Sequence, residues 1–312
     1  MKCCYHPGYH LALPAGHPFP ISKYALLKER LLREGVLSEG DLVAPEPLGL
    51  DDLALVHTRD YLAKLDGGGL SAAEQRRLGM PWSESLWKRS RLAAGGTLLA
   101  ARLALEEGIA GNLAGGTHHA FVDHAEGFCV LNDVAVAIVK LREERRIRRA
   151  VIVDLDVHQG NGTAAIFEGA EDVLTFSMHG ERNYPLAKMR STVDVGLADG
   201  TADAEYLGAL DRHLPEVLDR AGPGRSPDIA FYVAGVDIAI GDRYGKLAVS
   251  EEGIRRRDRR VIEAVRSRGI ALVIVLGGGY AASSAWTAEL HAHAFREAVA
   301  ALKPPPSTPS IC

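Results

Sequence analysis

The run AVIVDLDVHQGNGT, residues 150–163, decides how the chain is read. Ala150, Val151, Ile152 and Val153 form a short apolar run of the kind that makes a buried strand. Gly160 and Gly162 then fit a turn into a helix. Alternate side chains of a strand share a face, so Asp154, Asp156 and His158 point one way, and Val151, Val153, Leu155 and Val157 the other. Two carboxylates on a buried face repel and lose hydration unless they meet partners or a metal. The stretch therefore predicts a strand whose carboxyl end holds a cation.

Outward from this run, strands alternate with helices. Further strands are expected near residues 2–5 and at GNLAGG, DVLTFSMH, PDIAFYVAG and IALVIVLGGG. Helices are expected after the capping residues Ser22, Thr58 and Asn132, over about 85–107 and 202–220, and at GTAAIFEG, EEGIRRRDRRVIEAVRSRG and SAWTAELHAHAFREAVAAL. Gly35 should stop the first of these. Near-continuous apolar strands between helices predict a parallel sheet covered on both faces. A single doubly wound domain over 1–303 follows, with a disordered tail at 304–312.

Such sheets bind ligands beyond the carboxyl ends of their strands. Four strand ends carry unusual residues. GGTHHAFVDHAEGFC places His118 and His119 together, either as an acid–base pair or simply as polar loop residues; His124 reads as solvated. DLDVHQGNGT supplies Asp156 and His158 as ligands for zinc or a similar ion, or else a salt-bridged strand end, and Asp154 could orient a histidine. VAGVDIAIGDRYG supplies Asp237 and Asp242, either of which could complete a three-ligand site or serve as a turn residue. VLGGGYAASS places Tyr280 after three glycines, where its hydroxyl could donate to an oxyanion. Without a following lysine, GGG makes a poor phosphate loop. Together these residues predict metal-assisted hydrolysis of an acyl bond.

The composition narrows the context. A net charge of −4 gives no electrostatic reason for a nucleic-acid or anionic-membrane partner. No apolar run reaches the length of about 18 residues that marks a spanning helix, and MKCCYHPGYH lacks a signal-peptide core. Four cysteines without CxxC spacing fit a reducing cytoplasm and leave metal binding to Asp and His.

In combination and in this order, GGTHHA, GFC, DLDVHQGNGT, AGVDIAIGD and GGGY resemble the histone deacetylase superfamily, which also contains acetylpolyamine amidohydrolases and acetoin-utilisation proteins. The resemblance runs from HPFPISKY at 17–24 to GGGY at 277–280, and it is nearest to the class IV branch in HPFPISKY, DLDVHQGNG and GDRYGKLAVS. It implies a single-domain arginase–deacetylase fold with a mainly parallel eight-stranded sheet and helices on both faces. The implied zinc ligands are Asp156, His158 and Asp242, with Asp237 outside the coordination. His118, held by Asp154, and His119, held by Asn161, match the paired histidines, and Tyr280 matches the transition-state tyrosine. Phe128 and Tyr184 match the tunnel walls, the Gly127 carbonyl matches the amide acceptor, and Gly278 joins the substrate-binding set. A potassium site is implied at Asp154 and Ser177 with the backbone oxygens of Asp156, His158 and Met178.

The implied reaction is zinc-dependent hydrolysis of an Nε-acyl-lysine amide in a protein or peptide, with long acyl chains suggested by the class IV likeness. Iron(II) or cobalt would suit the same donors. An amidohydrolase acting on acetylpolyamines or another small acylated amine is the alternative. A non-catalytic acyl-lysine binder would be expected to lose a metal ligand or the tyrosine, and none is missing. Two departures stand out. Asn161 occupies a position that is aspartate in some branches, so the imidazolium of His119 should be less stabilised. LGMPWSES at 78–85 has Glu84 but no aspartate to grip a substrate backbone.

Overall fold

The structure, a computed structural model, describes residues 1–220 and 226–302. The tail expected at 304–312 lies outside the described residues. Eight strands form one sheet: β1 Lys2–Cys4, β2 Leu42–Val43, β3 Ile109–Asn112, β4 Ala150–Asp154, β5 Val173–Gly180, β6 Val193–Leu197, β7 Ile229–Val233 and β8 Ala271–Val275. Their spatial order is β2-β1-β3-β8-β7-β4-β5-β6, and every pairing is parallel.

The helices are α1 Lys23–Arg33, α2 Leu50–Leu53, α3 Arg59–Asp66, α4 Ala72–Leu78, α5 Glu84–Glu107, α6 Asp133–Glu143, α7 Asn161–Ile166, α8 Asp203–Asp219, α9 Glu251–Arg266 and α10 Ser284–Leu302. They cover both faces because the buried strands alternate between two cores. Val151, Val153, Tyr232 and Ile274 pack with Leu27 of α1, Leu210 of α8, Val261 of α9 and Phe295 of α10. Ile152, Phe231 and Val273 pack with Leu62 of α3, Leu98 of α5 and Ile138 of α6. Among the described residues, no helix is long and apolar enough to cross a membrane.

Thr58 and Asn132 cap their helices as expected, accepting from the amides of Tyr61 and Ala135. Ser22 occupies the position before α1, but its side chain caps nothing. Its backbone is already right-handed helical at φ −70° and ψ −13°, so its hydroxyl is not swung toward the first-turn amides. The strand expected at GNLAGG ends at Asn112, because Gly115 and Gly116 take φ of 79° and 77° and turn the chain out of the sheet. The strand bearing Asp154 also stops there, so Asp156 and His158 lie in the following loop rather than on its pleat.

Candidate active site

The central strands β3, β8, β7 and β4 deliver all four unusual segments to one end of the sheet. Beyond β3, the histidine loop is fixed from below by buried Asp133. Its carboxylate accepts from the amides of Gly116 at 3.0 Å and Thr117 at 2.8 Å. The rings of His118 and His119 then stand 4.1 Å apart. His118 Nδ1 meets Asp154 Oδ2 at 2.7 Å, and His119 Nδ1 meets Asn161 Oδ1 at 2.6 Å.

These partners push the two imidazoles apart in basicity. Burial alone would lower His118, but the charges of Asp154 and Asp156 overturn that and carry it up to about 9. His119 is held well below the usual imidazole range by burial and by the nearby His118 and His158, against which Asn161 adds no charge. One ring is thus poised as a cation and its neighbour as a neutral base.

Beyond β4 and β7, buried carboxylates converge on His158. Its Nδ1 lies 3.0 Å from Asp156 Oδ1 and 3.1 Å from Asp237 Oδ2. The donor atoms of Asp156, His158 and Asp237 all lie within 4.8 Å of one another. Asp237 Oδ1 accepts from the Val157 amide at 2.9 Å. Asp237 Oδ2 has no well-directed donor despite its approach to His158, and burial with the charge of Asp156 pushes this carboxyl up to about 7. Asp242 is a neighbour of that triad but falls outside its 4.8 Å group. Its oxygens accept from the amides of Tyr244 at 2.9 Å, Gly245 at 3.0 Å and Tyr280 at 2.7 Å. The tightest cluster therefore contains Asp237, whereas the family resemblance assigns the third ligand to Asp242. Asp156 and His158 belong to both sets. A buried group of carboxylates with one imidazole, one oxygen of it lacking a donor, fits a divalent cation of the zinc type.

Gly278 sits where only a glycine fits: a Cβ there would come 2.0 Å from Asp237 Oδ2, and its amide donates to Asp156 Oδ2 at 2.5 Å. Tyr280 follows, with its phenol held well above its usual range by burial and by Asp237 and Asp156, so it remains a hydrogen-bond donor. Ser177 and Met178 lie on β5. Ser177 pairs in register with Asp154, and its hydroxyl meets His179 Nδ1 at 2.9 Å.

A pocket of about 280 Å³ opens above this floor, walled by Phe128, Tyr184, Tyr244 and Tyr280 over His119 and His158. A recess of about 30 Å³ continues below it past Gly278 and Cys129. Tyr184 packs edge-on to His119 with ring centroids 5.1 Å apart. Phe128 is presented by a tight turn in which Glu126 and Cys129 exchange backbone hydrogen bonds of 3.1 and 2.8 Å. The two central residues, Gly127 and Phe128, have φ of 53° and 67°, as a type I′ turn requires. Left-handed backbone costs a residue with a Cβ about 1–2 kcal/mol. The Phe128 amide offsets part of this by donating to Leu78 at the end of α4, at 2.7 Å.

The sequence reading missed several contributors. Lys23 is buried beneath the GGGY loop, donating from Nζ to the Gly277 carbonyl at 2.9 Å. Burial pushes its ammonium down to about 8. The rim is formed by Arg77, Leu78 and Gly79 at the end of α4, and Glu84 does not line the pocket. The signal for α4 lay in Ser71 and Glu74, which form a reciprocal capping box, with Gly79 as the stop.

The sequence model described as "Histone deacetylase domain" matches residues 17–295. An uncharacterized protein of Picosynechococcus sp. is 46% identical to this chain, over 89% of it and 91% of the relative. Histone deacetylase 2 of Arabidopsis thaliana is 34% identical over 86% of this chain and 71% of its own length. Among solved structures, an HDAC homolog complexed with SAHA superposes with a TM-score of 0.76 at 26% identity, covering 94% of this chain and 84% of that one.

Proposed function

The chain belongs to the histone deacetylase family and has its arginase–deacetylase fold, and from that premise we propose that it hydrolyses the amide of a short Nε-acyl-lysine in a protein or peptide. The observation that carries this reading is the histidine pair: two adjacent rings, one paired with a carboxylate and one with an amide, at the floor of an aromatic pocket beside a buried Asp/His cluster.

Asp156, His158 and Asp242 would hold zinc, with Asp237 bracing His158 and the Val157 amide. Bound there, zinc would polarise the acyl carbonyl and acidify a water molecule. His119 would take a proton from the attacking water, whose oxygen bonds to the acyl carbon, and give one to the amine as the C–N bond breaks. His118, paired with Asp154, contributes positive charge. The Tyr280 hydroxyl donates to the oxyanion as it forms. Phe128 and Tyr184 flank the lysine stem, and the Gly127 carbonyl accepts from the substrate amide. Asp154 and Ser177, with the backbone oxygens of Asp156, His158 and Met178, would hold a potassium ion.

Two features bear on the substrate. Arg77 lines the pocket and, among the described residues, no carboxylate does, which disfavours a polycationic amine. The inner recess of about 30 Å³ is small beside the outer pocket of about 280 Å³, which favours acetyl over long chains.

The test is amine release from lysine peptides bearing acetyl through myristoyl groups, with zinc-loaded and metal-free protein. Zinc-dependent turnover, fastest for acetyl, is expected. Bound zinc without turnover on any peptide, together with turnover of acetylpolyamines, would overturn the assignment. Zinc stoichiometry of Asp242→Asn and Asp237→Asn identifies the third ligand. Loss of zinc is expected from the first substitution only, and the reverse would assign Asp237.

A further inference from the structure

We propose that Glu126 is a positioning residue that sets the tautomer of His119 through Asn161. Asn161 stands between two groups: its Oδ1 is 2.6 Å from His119 Nδ1, and its Nδ2 donates to Glu126 Oε1 at 2.7 Å. An asparagine side chain alone does not specify the tautomer of a histidine, because it can turn either its carbonyl or its amino group toward the ring. Glu126 removes that freedom. An ionised carboxylate only accepts, so the Asn161 amino group must face it and the Asn161 carbonyl must face His119. A carbonyl at 2.6 Å requires a donor on the ring, so the proton sits on Nδ1. In the neutral ring, Nε2 is then the atom with the free lone pair.

Glu126 is itself well anchored. Its amide and carbonyl close the turn with Cys129, and its side chain is only 15% exposed. The His124 imidazole lies 3.7 Å from its other oxygen. The negative charge that an aspartate would place directly against His119 is thus moved one residue outward. The ring keeps its orientation with less negative charge against it than an aspartate would supply.

The proposal rests on the reading of His119 as the base, but its first test does not. Nitrogen-15 NMR of histidine-labelled, metal-free protein reports which ring nitrogen carries the proton. The wild type should show His119 as the Nδ1–H form. Glu126→Gln can donate as well as accept, lets Asn161 turn over, and should give a mixture with the Nε2–H form. Adding Asn161→Asp to Glu126→Gln should restore a single Nδ1–H form, because an aspartate accepts whichever way it is turned. In the zinc-loaded enzyme, kcat should fall by up to about 100-fold in Glu126→Gln, with KM little changed, and should recover in the double variant. A role limited to holding the turn would leave the tautomer unmoved and show no rescue. An unchanged tautomer in Glu126→Gln overturns the proposal even if the enzyme is an active deacylase. A tautomer that shifts and is rescued in protein lacking deacylase activity leaves the proposal standing and removes the functional reading.

Discussion

At the scale of single residues, the site divides its work by environment. Tyr280 is kept protonated, which suits it to donate in the proposed reaction, and replacing it by Phe removes one hydrogen bond and little volume. Such a loss typically costs about 100- to 1,000-fold in rate, so Tyr280→Phe should lose that much kcat with KM little changed. Equal kcat in steady-state assays would take Tyr280 out of the reaction. His119 acts as a base only when neutral, so the acidic limb of the rate profile follows its pKa. That pKa is depressed in the native protein, which keeps the base competent at low pH. Asn161→Asp adds negative charge beside the ring, raises the pKa, and should move the acidic limb to higher pH. A profile of kcat/KM against pH that does not move would count against it. The histidine pair, Asp156, His158 and Tyr280 were all legible as motif residues. Glu126 and Lys23 were not, because each gains its meaning from a partner far along the chain: Asn161 for one and Gly277 for the other.

At the scale of elements, buried Arg257 of α9 ties the loop after β7 to the scaffold. Its guanidinium bonds Asp258 at 2.9 Å and reaches the Gly235 carbonyl after β7 at 2.5 Å. Tyr232 of β7 donates to the same carboxylate at 2.6 Å. Removing one member of a buried ion pair strands the other, at a cost of about 3–5 kcal/mol. Arg257→Ala should lose stability of that order in denaturant unfolding. A loss below about 1 kcal/mol would show that Asp258 finds another partner or is neutral. Nothing in EEGIRRRDRRVIEAVRSRG marks this arginine among its neighbours, since periodicity gives the face but not the depth. The long apolar strands and the capped helices were legible, because a buried parallel strand needs continuous apolar residues and a cap needs one residue type at one position. β6 escaped notice because it is an edge strand of mixed exposure, and β2 because two residues leave no pattern. α4 was readable from its capping box but was not among the expected helices; only its last residue, Leu78, falls in the segment 78–85 read as the rim.

At the scale of the whole molecule, one sheet separates two cores, and every central strand contributes to both. Neither core can melt without exposing the back of the other, so the described chain should unfold as one unit. Far-ultraviolet circular dichroism and tryptophan fluorescence should give coincident thermal transitions. Two separated transitions would divide the single domain proposed from sequence. The strand order has a further consequence, for synthesis on the ribosome. A nascent chain extended only through β6 owns two half-sheets, β2-β1-β3 and β4-β5-β6, each with an unpaired inner edge. Open edges of that kind invite pairing with other chains. Only when β7 and β8 emerge can they slot between the halves, and these two strands also bring Asp237, Asp242 and Tyr280. Closing the sheet and assembling the proposed site are therefore one event, and a chain terminated before β7 should be sticky and should lack that site.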